Sequence, residues 1–294
     1  MRASALPLAL IVAASLALTG PVPAAAAKVA VVDDEGRTVA LAQPARRIVS
    51  LAPHLTEQLF AIGAGDLIVG TTDYADFPAA AIGLPRVARA HSVDLERVSA
   101  ARPDLILVWG SGFPPATVDA LRRLGVPTFV SEPARLADIA TSLERLGTLT
   151  ARPAEGAARD FNAKLDALRA SYRGRREVRV FYQVWSDPLM TLGGRHVISE
   201  AISACGGRNV FAHLAPIAPR VSTEAVLAAD PEVILTAEPG GRPSDALTPW
   251  KRFERLAAVQ RNLLVTLDAD RMNRHGPRIL DETESMCAAI DRAR

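Results

Sequence analysis

Two cysteines, Cys205 and Cys287, are all that the 294 residues contain, so the chain can form at most one internal disulfide. Five histidines, His54, His91, His196, His213 and His275, are scattered without the tight spacing of a metal site, which weakens any reading as a receptor for a bare divalent ion. Neither Gly-x-Ser-x-Gly nor His-Glu-x-x-His occurs, and Ser111-Gly112 has no neighbouring base by motif. A hydrolase is therefore a remote reading. Arginine and glutamate are interspersed, the formal charge is only +2, and no basic block stands out, so nucleic acid is a poor partner. Beyond the N-terminus no apolar run is long enough to cross a membrane. What remains as partners is small molecules and proteins.

The N-terminus carries Arg2, an apolar run from Ala5 to Leu18, a Gly20-Pro21 break and the small residues Ala24 to Ala27. This is the pattern of a cleaved secretory leader over residues 1–27, with a mature chain beginning near Lys28. No cysteine lies near the cleavage point, so a soluble exported protein is expected rather than a lipid-anchored one. Loss of Arg2 with the leader lowers the formal charge from +2 to +1. An oxidising compartment makes a Cys205–Cys287 disulfide the expected state, against the alternative of two buried thiols.

One phrase is written twice. Glu96-Arg-Val-Ser-Ala-Ala-Arg-Pro103-Asp-Leu-Ile-Leu107 and Glu224-Ala-Val-Leu-Ala-Ala-Asp-Pro231-Glu-Val-Ile-Leu235 each read as a short helix, a proline stop and a buried strand. The copies are too far apart for a solenoid repeat, so they predict two similar lobes. Around them strands alternate with helices, and runs such as Leu105 to Val108 are continuously apolar, as parallel strands covered on both faces require. The expected fold is α/β: two Rossmann-like lobes with small parallel sheets, joined by a single long rigid helix, with a ligand cleft between the lobes. Its parts are an N-terminal β-hairpin (28–45), a first lobe (46–150), the connecting helix (151–175) and a second lobe (176–294).

Within the first lobe a strand is expected at Ile48 to Leu51, a loop at Pro53 to Thr56 and a helix at Glu57 to Ile62. In the second, a helix is expected over Phe253 to Val259. The connecting helix rests on Phe161, Leu165, Leu168 and Tyr172, which recur at helical spacing until Gly174. The alternative there is an ordinary surface helix of one domain.

Each copy of the phrase opens with an N-cap followed two residues later by a carboxylate, Asp94-Leu-Glu96 and Ser222-Thr-Glu224. An acid in a first helical turn is stabilised by the helix dipole whatever else it does. Two equivalent acids on related lobes also form a matched pair suited to a twofold partner with one basic pocket per subunit.

Several stretches resemble periplasmic cobalamin-binding proteins, helical-backbone (class III) solute-binding proteins of ABC importers. They are Arg47-Ile-Val-Ser-Leu-Ala-Pro-His-Leu-Thr-Glu57, Asp73-Tyr-Ala-Asp-Phe-Pro78, Asp94-Leu-Glu-Arg97, Arg102-Pro-Asp-Leu-Ile-Leu-Val-Trp109 and Ala204-Cys-Gly-Gly-Arg-Asn-Val-Phe211. The resemblance runs over nearly the whole mature chain. It implies a monomeric periplasmic receptor, not an enzyme, that carries a corrinoid as cargo and needs no cofactor or metal of its own. Glu96 and Glu224 would dock to the importer's membrane subunits, and Cys205 and Cys287 match the family's disulfide.

For the ligand, the resemblance points to Tyr74 and Trp109 as cleft aromatics, to Met190 at another aromatic position and to Asp270 as an acid near the ligand. Ala90, Ala218 and the pair Arg271-Met272 depart from the pattern by replacing aromatics. Loops at strand carboxyl ends add His54 and His91 in the first lobe, with Trp185, Arg220 and His275 in the second. Haem or a ferric siderophore is the alternative cargo for the same fold, with Tyr74 or a histidine as axial ligand, or Arg220 holding anionic oxygens.

Overall fold

The N-terminal alternation folds as expected. In a computed structural model describing residues 28–89 and 92–294, β1 (Val29–Val32) pairs antiparallel with β2 (Thr38–Leu41). The Asp33 carboxylate closes the turn by accepting the backbone N–H groups of Glu35 and Arg37 at 3.0 and 2.8 Å. The expected leader (1–27), Ala90 and His91 lie outside the described residues.

The first lobe comprises β3 (Ile48–Ser50), α1 (Pro53–Ala61), β4 (Ile68–Thr72), β5 (Arg86–Arg89), β6 (Ser92–Val93), α2 (Leu95–Ala100), β7 (Leu105–Trp109), α3 (Pro115–Arg122) and β8 (Thr128–Ser131). Its sheet runs β6-β5-β4-β3-β7-β8 and is parallel except for β6. β7 is fully buried from Leu105 to Val108, with alternate residues entering two separate apolar clusters, as a strand covered on both faces requires. One expectation fails here. Pro53 to Thr56 is not a loop but the first turn of α1, because a proline at the start of a helix presets φ and lacks an N–H that would have no partner there. His54 therefore sits on a helix.

Two helices follow, α4 (Leu136–Thr150) and α5 (Glu155–Tyr172). The chain crosses from the first lobe to the second through α5, whose described helical span is shorter than the expected 151–175. It does not cross alone. α4 lies antiparallel against it, since the first residue of α4 and Arg169 near the end of α5 both bond Glu200. Leu136, Ile139 and Ala140 of α4 enter the core of the second lobe, whereas Leu143, Leu146 and Leu149 enter that of the first. The bridge is thus braced by a second helix rooted in both cores.

The second lobe comprises β9 (Val178–Tyr182), β10 (Trp185–Ser186), β11 (Leu189–Met190), α6 (Val197–Ala204), β12 (Gly207–Asn209), α7 (Thr223–Ala229), β13 (Val233–Glu238), α8 (Ala257–Gln260), β14 (Leu264–Asp268), α9 (Ala269–Met272) and α10 (Ile279–Asp291). The helix expected over Phe253 to Val259 begins only at Ala257, where the backbone N–H donates to the Asp230 carboxylate at 3.0 Å, and it ends at Gln260 as α8; Asp245–Arg252 winds as 3-10 turns. The sheet order β12-β9-β13-β14, all parallel, repeats β4-β3-β7-β8 of the first lobe.

The duplicated phrase coincides in three dimensions. Arg102 and Asp230, each just before its proline, both adopt left-handed backbone, with φ of 45° and 40°. Such a residue ends a helix, and the following proline disfavours further right-handed helix at that position. Next to it, Asp104 accepts the backbone N–H of Arg47 as Glu232 accepts that of Arg179. The arginines return the contact through Nε to the carbonyls of Arg102 and Asp230, at 3.0 and 2.8 Å. Two lobes are built on one plan.

Candidate functional site

Parallel sheets present ligands to the loops at their carboxyl ends. In the first lobe those ends carry His54 after β3, Tyr74 after β4 and Trp109 at the end of β7; in the second they carry Trp185 and Met190 after β9 and Asp270 after β14. These residues separate into a buried seam and an exposed mouth.

At the seam, the loop after α9 in the second lobe docks on α1 of the first. The rings of His54, Trp109 and His275 meet pairwise at centroid distances of 5.5, 5.6 and 5.5 Å, and His196 reaches His275 at 5.5 Å. Burial, followed by the nearby Arg274 charge, lowers the pKa of His54 to about 3. Burial lowers that of His196 to about 4. His275 is held well below its usual value by burial and then by the two neighbouring imidazoles. All three rings are therefore neutral near pH 7. His54 Nε2, Trp109 Nε1 and His275 Nδ1 are buried without a hydrogen-bond partner among the described residues, each at a cost of about 1–3 kcal/mol.

Ion pairs flank the rings. Arg278 holds the Glu57 carboxylate through Nε at 2.9 Å and Nη2 at 2.5 Å. Arg274 bonds Glu57, Asp76 and Asp270 at 3.1, 2.6 and 2.9 Å, and Asp76 is held below the usual carboxylate range chiefly by that Arg274 contact. The Gln58 amide donates to the His275 carbonyl at 2.8 Å and accepts from Ser142 of α4. The seam thus joins both lobes and the bracing helix.

The mouth is different in kind. Tyr74 is 69% exposed in left-handed backbone, with φ of 65°, and Trp185 is 62% exposed. Neither ring packs on another aromatic ring among the described residues, so each offers an open apolar face from a different lobe. The strands β10 and β11 form the hairpin that carries Trp185 opposite Met190, and Arg220 is exposed beside it through a backbone bridge to Met190. Of the pair that departs from the aromatic pattern, Arg271 is exposed while Met272 is fully buried in the second core.

The structure therefore brings His54, Trp109 and His275 together, leaves Tyr74 exposed on the first lobe and Trp185, Met190 and Arg220 neighbours on the second, and ties Asp270 to Arg274. Sequence reading missed His196, Glu57, Gln58, Asp76, Arg274 and Arg278. A signal was present for Glu57, a carboxylate amid the apolar positions of α1, where burial demands a partner.

Glu96 and Glu224 occupy the second position of α2 and α7, behind the N-caps Asp94 and Ser222, whose side chains accept from the N–H of Arg97 and Ala225. Both glutamates are exposed, and neither forms an ion pair among the described residues. The backbone N–H of Glu224, then the Ser222 hydroxyl, holds the Glu224 carboxyl below its usual range. Cys205 and Cys287 form a disulfide that fastens α10 to the end of α6.

Two lobes on a common plan, a bridging helix and a cleft at the sheets' carboxyl ends define a two-lobed ligand receptor. A family profile described as periplasmic binding protein matches residues 48–271, and the chain belongs to that family. It is 39% identical over 249 residues to a vitamin B12-binding protein of Vibrio cholerae, covering 84% of this chain and 90% of the relative. A vitamin B12-binding protein of Yersinia pestis is 35% identical over 248 residues, covering 84% and 86%. Among solved structures, the periplasmic vitamin B12 binding protein BtuF of Vibrio cholerae superposes with a TM-score of 0.77 at 39% identity, covering 85% of this chain and 98% of that one. The periplasmic heme-binding protein RhuT of Roseiflexus sp. RS-1 reaches 0.73 at 25% identity, covering 85% and 99%.

Proposed function

We propose that this protein is a periplasmic receptor that captures cobalamin or a related corrinoid between its lobes and delivers it to an ABC importer, docking through Glu96 and Glu224. The observation that carries the reading is the pair of exposed rings at the mouth, Tyr74 from the first lobe and Trp185 from the second. A corrin is a broad ring with amide arms, and it gains most from apolar faces on both sides with a few polar anchors. In this reading exposed Arg220 would serve as one anchor, and Asp270, paired with Arg274 at 2.9 Å, as another. The near full-length likeness to vitamin B12-binding proteins supports the same cargo. Calorimetric titration of the mature protein with cyanocobalamin is expected to give one site per chain. No heat and no thermal stabilisation with either cyanocobalamin or cobinamide would remove the corrinoid assignment.

The exposure of Tyr74 also fits a second cargo, haem, for which its phenol oxygen would be an axial ligand. A hemin titration separates the two readings: a Soret shift lost in Tyr74→Phe selects haem.

A further inference from the structure

A groove of about 960 Å³ runs along the flank of the second lobe, starting at the amino ends of β9 and β12 and reaching the start of α4. Its lining shares no residue with the starts of α2 and α7 that carry Glu96 and Glu224 or with the exposed rings Tyr74 and Trp185, and its far end reaches Arg195, next to His196 of the seam. Its lining is strongly basic. Arg135, Arg169, Arg173, Arg175, Arg195 and Arg208 face two carboxylates, Glu177 and Glu200. Both acids are already engaged: Glu200 holds Arg169 at 2.7 Å and also accepts the Leu136 N–H, and Glu177 holds Arg208 at 2.8 Å. Arg175 pairs with Asp291, and Arg135 with Asp138. Arg173 and Arg195 have no ion pair or side-chain hydrogen bond among the described residues. The near-neutral charge of the whole chain conceals this concentration, to which the run Arg173 to Arg179 contributes Arg173 and Arg175.

We infer that this groove binds a phosphate-bearing molecule, with Arg173 and Arg195 as its principal contacts. Arg135, Arg169, Arg175 and Arg208 are each paired with a carboxylate, which leaves the charges of Arg173 and Arg195 uncompensated along the groove and open to an anion. Arginine's planar fork matches phosphate oxygens two at a time, which favours phosphate over a simple halide. The volume exceeds that of one inorganic phosphate and lies in the range of small-ligand sites, so the phosphate is carried on a larger body. A soluble phosphoryl compound and an anionic lipid headgroup share this chemistry.

The test uses the mature protein in about 0.15 M salt, where exposed charges more than about 8 Å apart are largely screened. One arm titrates sodium tripolyphosphate by calorimetry; the other sediments the protein with phosphatidylglycerol vesicles. Saturable one-to-one binding of tripolyphosphate, weakened tenfold or more in Arg173→Glu/Arg195→Glu, supports a soluble ligand. Vesicle binding lost in the same variant supports a headgroup. Both side chains are exposed, and an unchanged circular dichroism melt verifies that the variant is folded. Absence of binding in both arms, or binding undiminished by the double substitution, overturns the inference whatever the cleft carries.

Discussion

Arg278 of the second lobe grips Glu57 of the first through two nitrogens, at 2.9 and 2.5 Å, and the carboxylate between them is only 3% exposed. The two residues lie 221 positions apart, so the contact exists only when the lobes meet. A buried carboxylate held by two arginines is a poor place to lose one partner. The guanidinium groups left behind keep their desolvation and lose the attraction that offset it.

Glu57→Ala is accordingly expected to destabilise the protein by about 3 kcal/mol, the lower end for breaking a buried pair. Urea denaturation checks this. An exposed pair such as Arg152–Asp66 supplies the control, with less than about 1 kcal/mol expected on its removal.

The three seam imidazoles set a pH dependence. Their folded pKa values lie below the unfolded value of 6.5, so below that pH the unfolded chain takes up protons that the folded one refuses. Stability is therefore full above pH 6.5 and falls as the solution is acidified toward the folded values of about 3 for His54 and about 4 for His196. Each ring contributes up to about 1.4 kcal/mol per pH unit in that window. Melting temperatures measured from pH 7.5 to 4.5 should drop steeply below pH 6.5. The drop should be shallower in His54→Phe.

Much of this architecture is legible in the chain. The doubled phrase marks α2 with β7 and α7 with β13, because a Pro-stopped helix and a continuously apolar strand are local patterns. α4 is less legible, although Leu136, Ile139, Leu143 and Leu146 recur at helical spacing. Its N-cap is Arg135, and the usual Ser, Thr, Asp or Asn is missing; Asp138 closes the cap from inside the helix. Of the mouth residues, Trp185 and Arg220 could be placed from strand ends, whereas Tyr74 and Met190 follow only from the family resemblance. The seam could not, since Glu57 with Arg278 and Gln58 with His275 are set by how two lobes approach, which no local pattern encodes.

The disulfide bridges 82 residues, for which loop-closure entropy gives about 4.5 kcal/mol. Cys205→Ala/Cys287→Ala is expected to lose about that much, and reduction of the wild type should reproduce the loss in denaturant titrations. Both sulfurs are fully buried, so reduction should require partial unfolding and proceed slowly in native buffer.

For the cleft, Tyr74→Ala and Trp185→Ala are each expected to weaken cyanocobalamin about 5- to 30-fold while leaving the melting temperature nearly unchanged. Exposed rings add little to the core, so the two effects separate. Trp109→Ala should behave oppositely, lowering stability through its ring contacts with His54 and His275.

Docking is tested by charge. Glu96 and Glu224 occupy matched helix positions, are exposed and have no internal ion pair among the described residues, so reversing them costs the fold little beyond a solvent-screened interaction with the helix dipole. Against a membrane partner bearing one basic pocket per half, each reversal replaces an attraction by a repulsion. Glu96→Lys and Glu224→Lys should each reduce transport in vesicles containing the cognate importer, and the double variant should reduce it tenfold or more with cyanocobalamin affinity unchanged. The matched positions also predict that the two single variants are impaired to a similar degree. Normal transport by the double variant would remove docking from these residues and leave them as helix-capping acids.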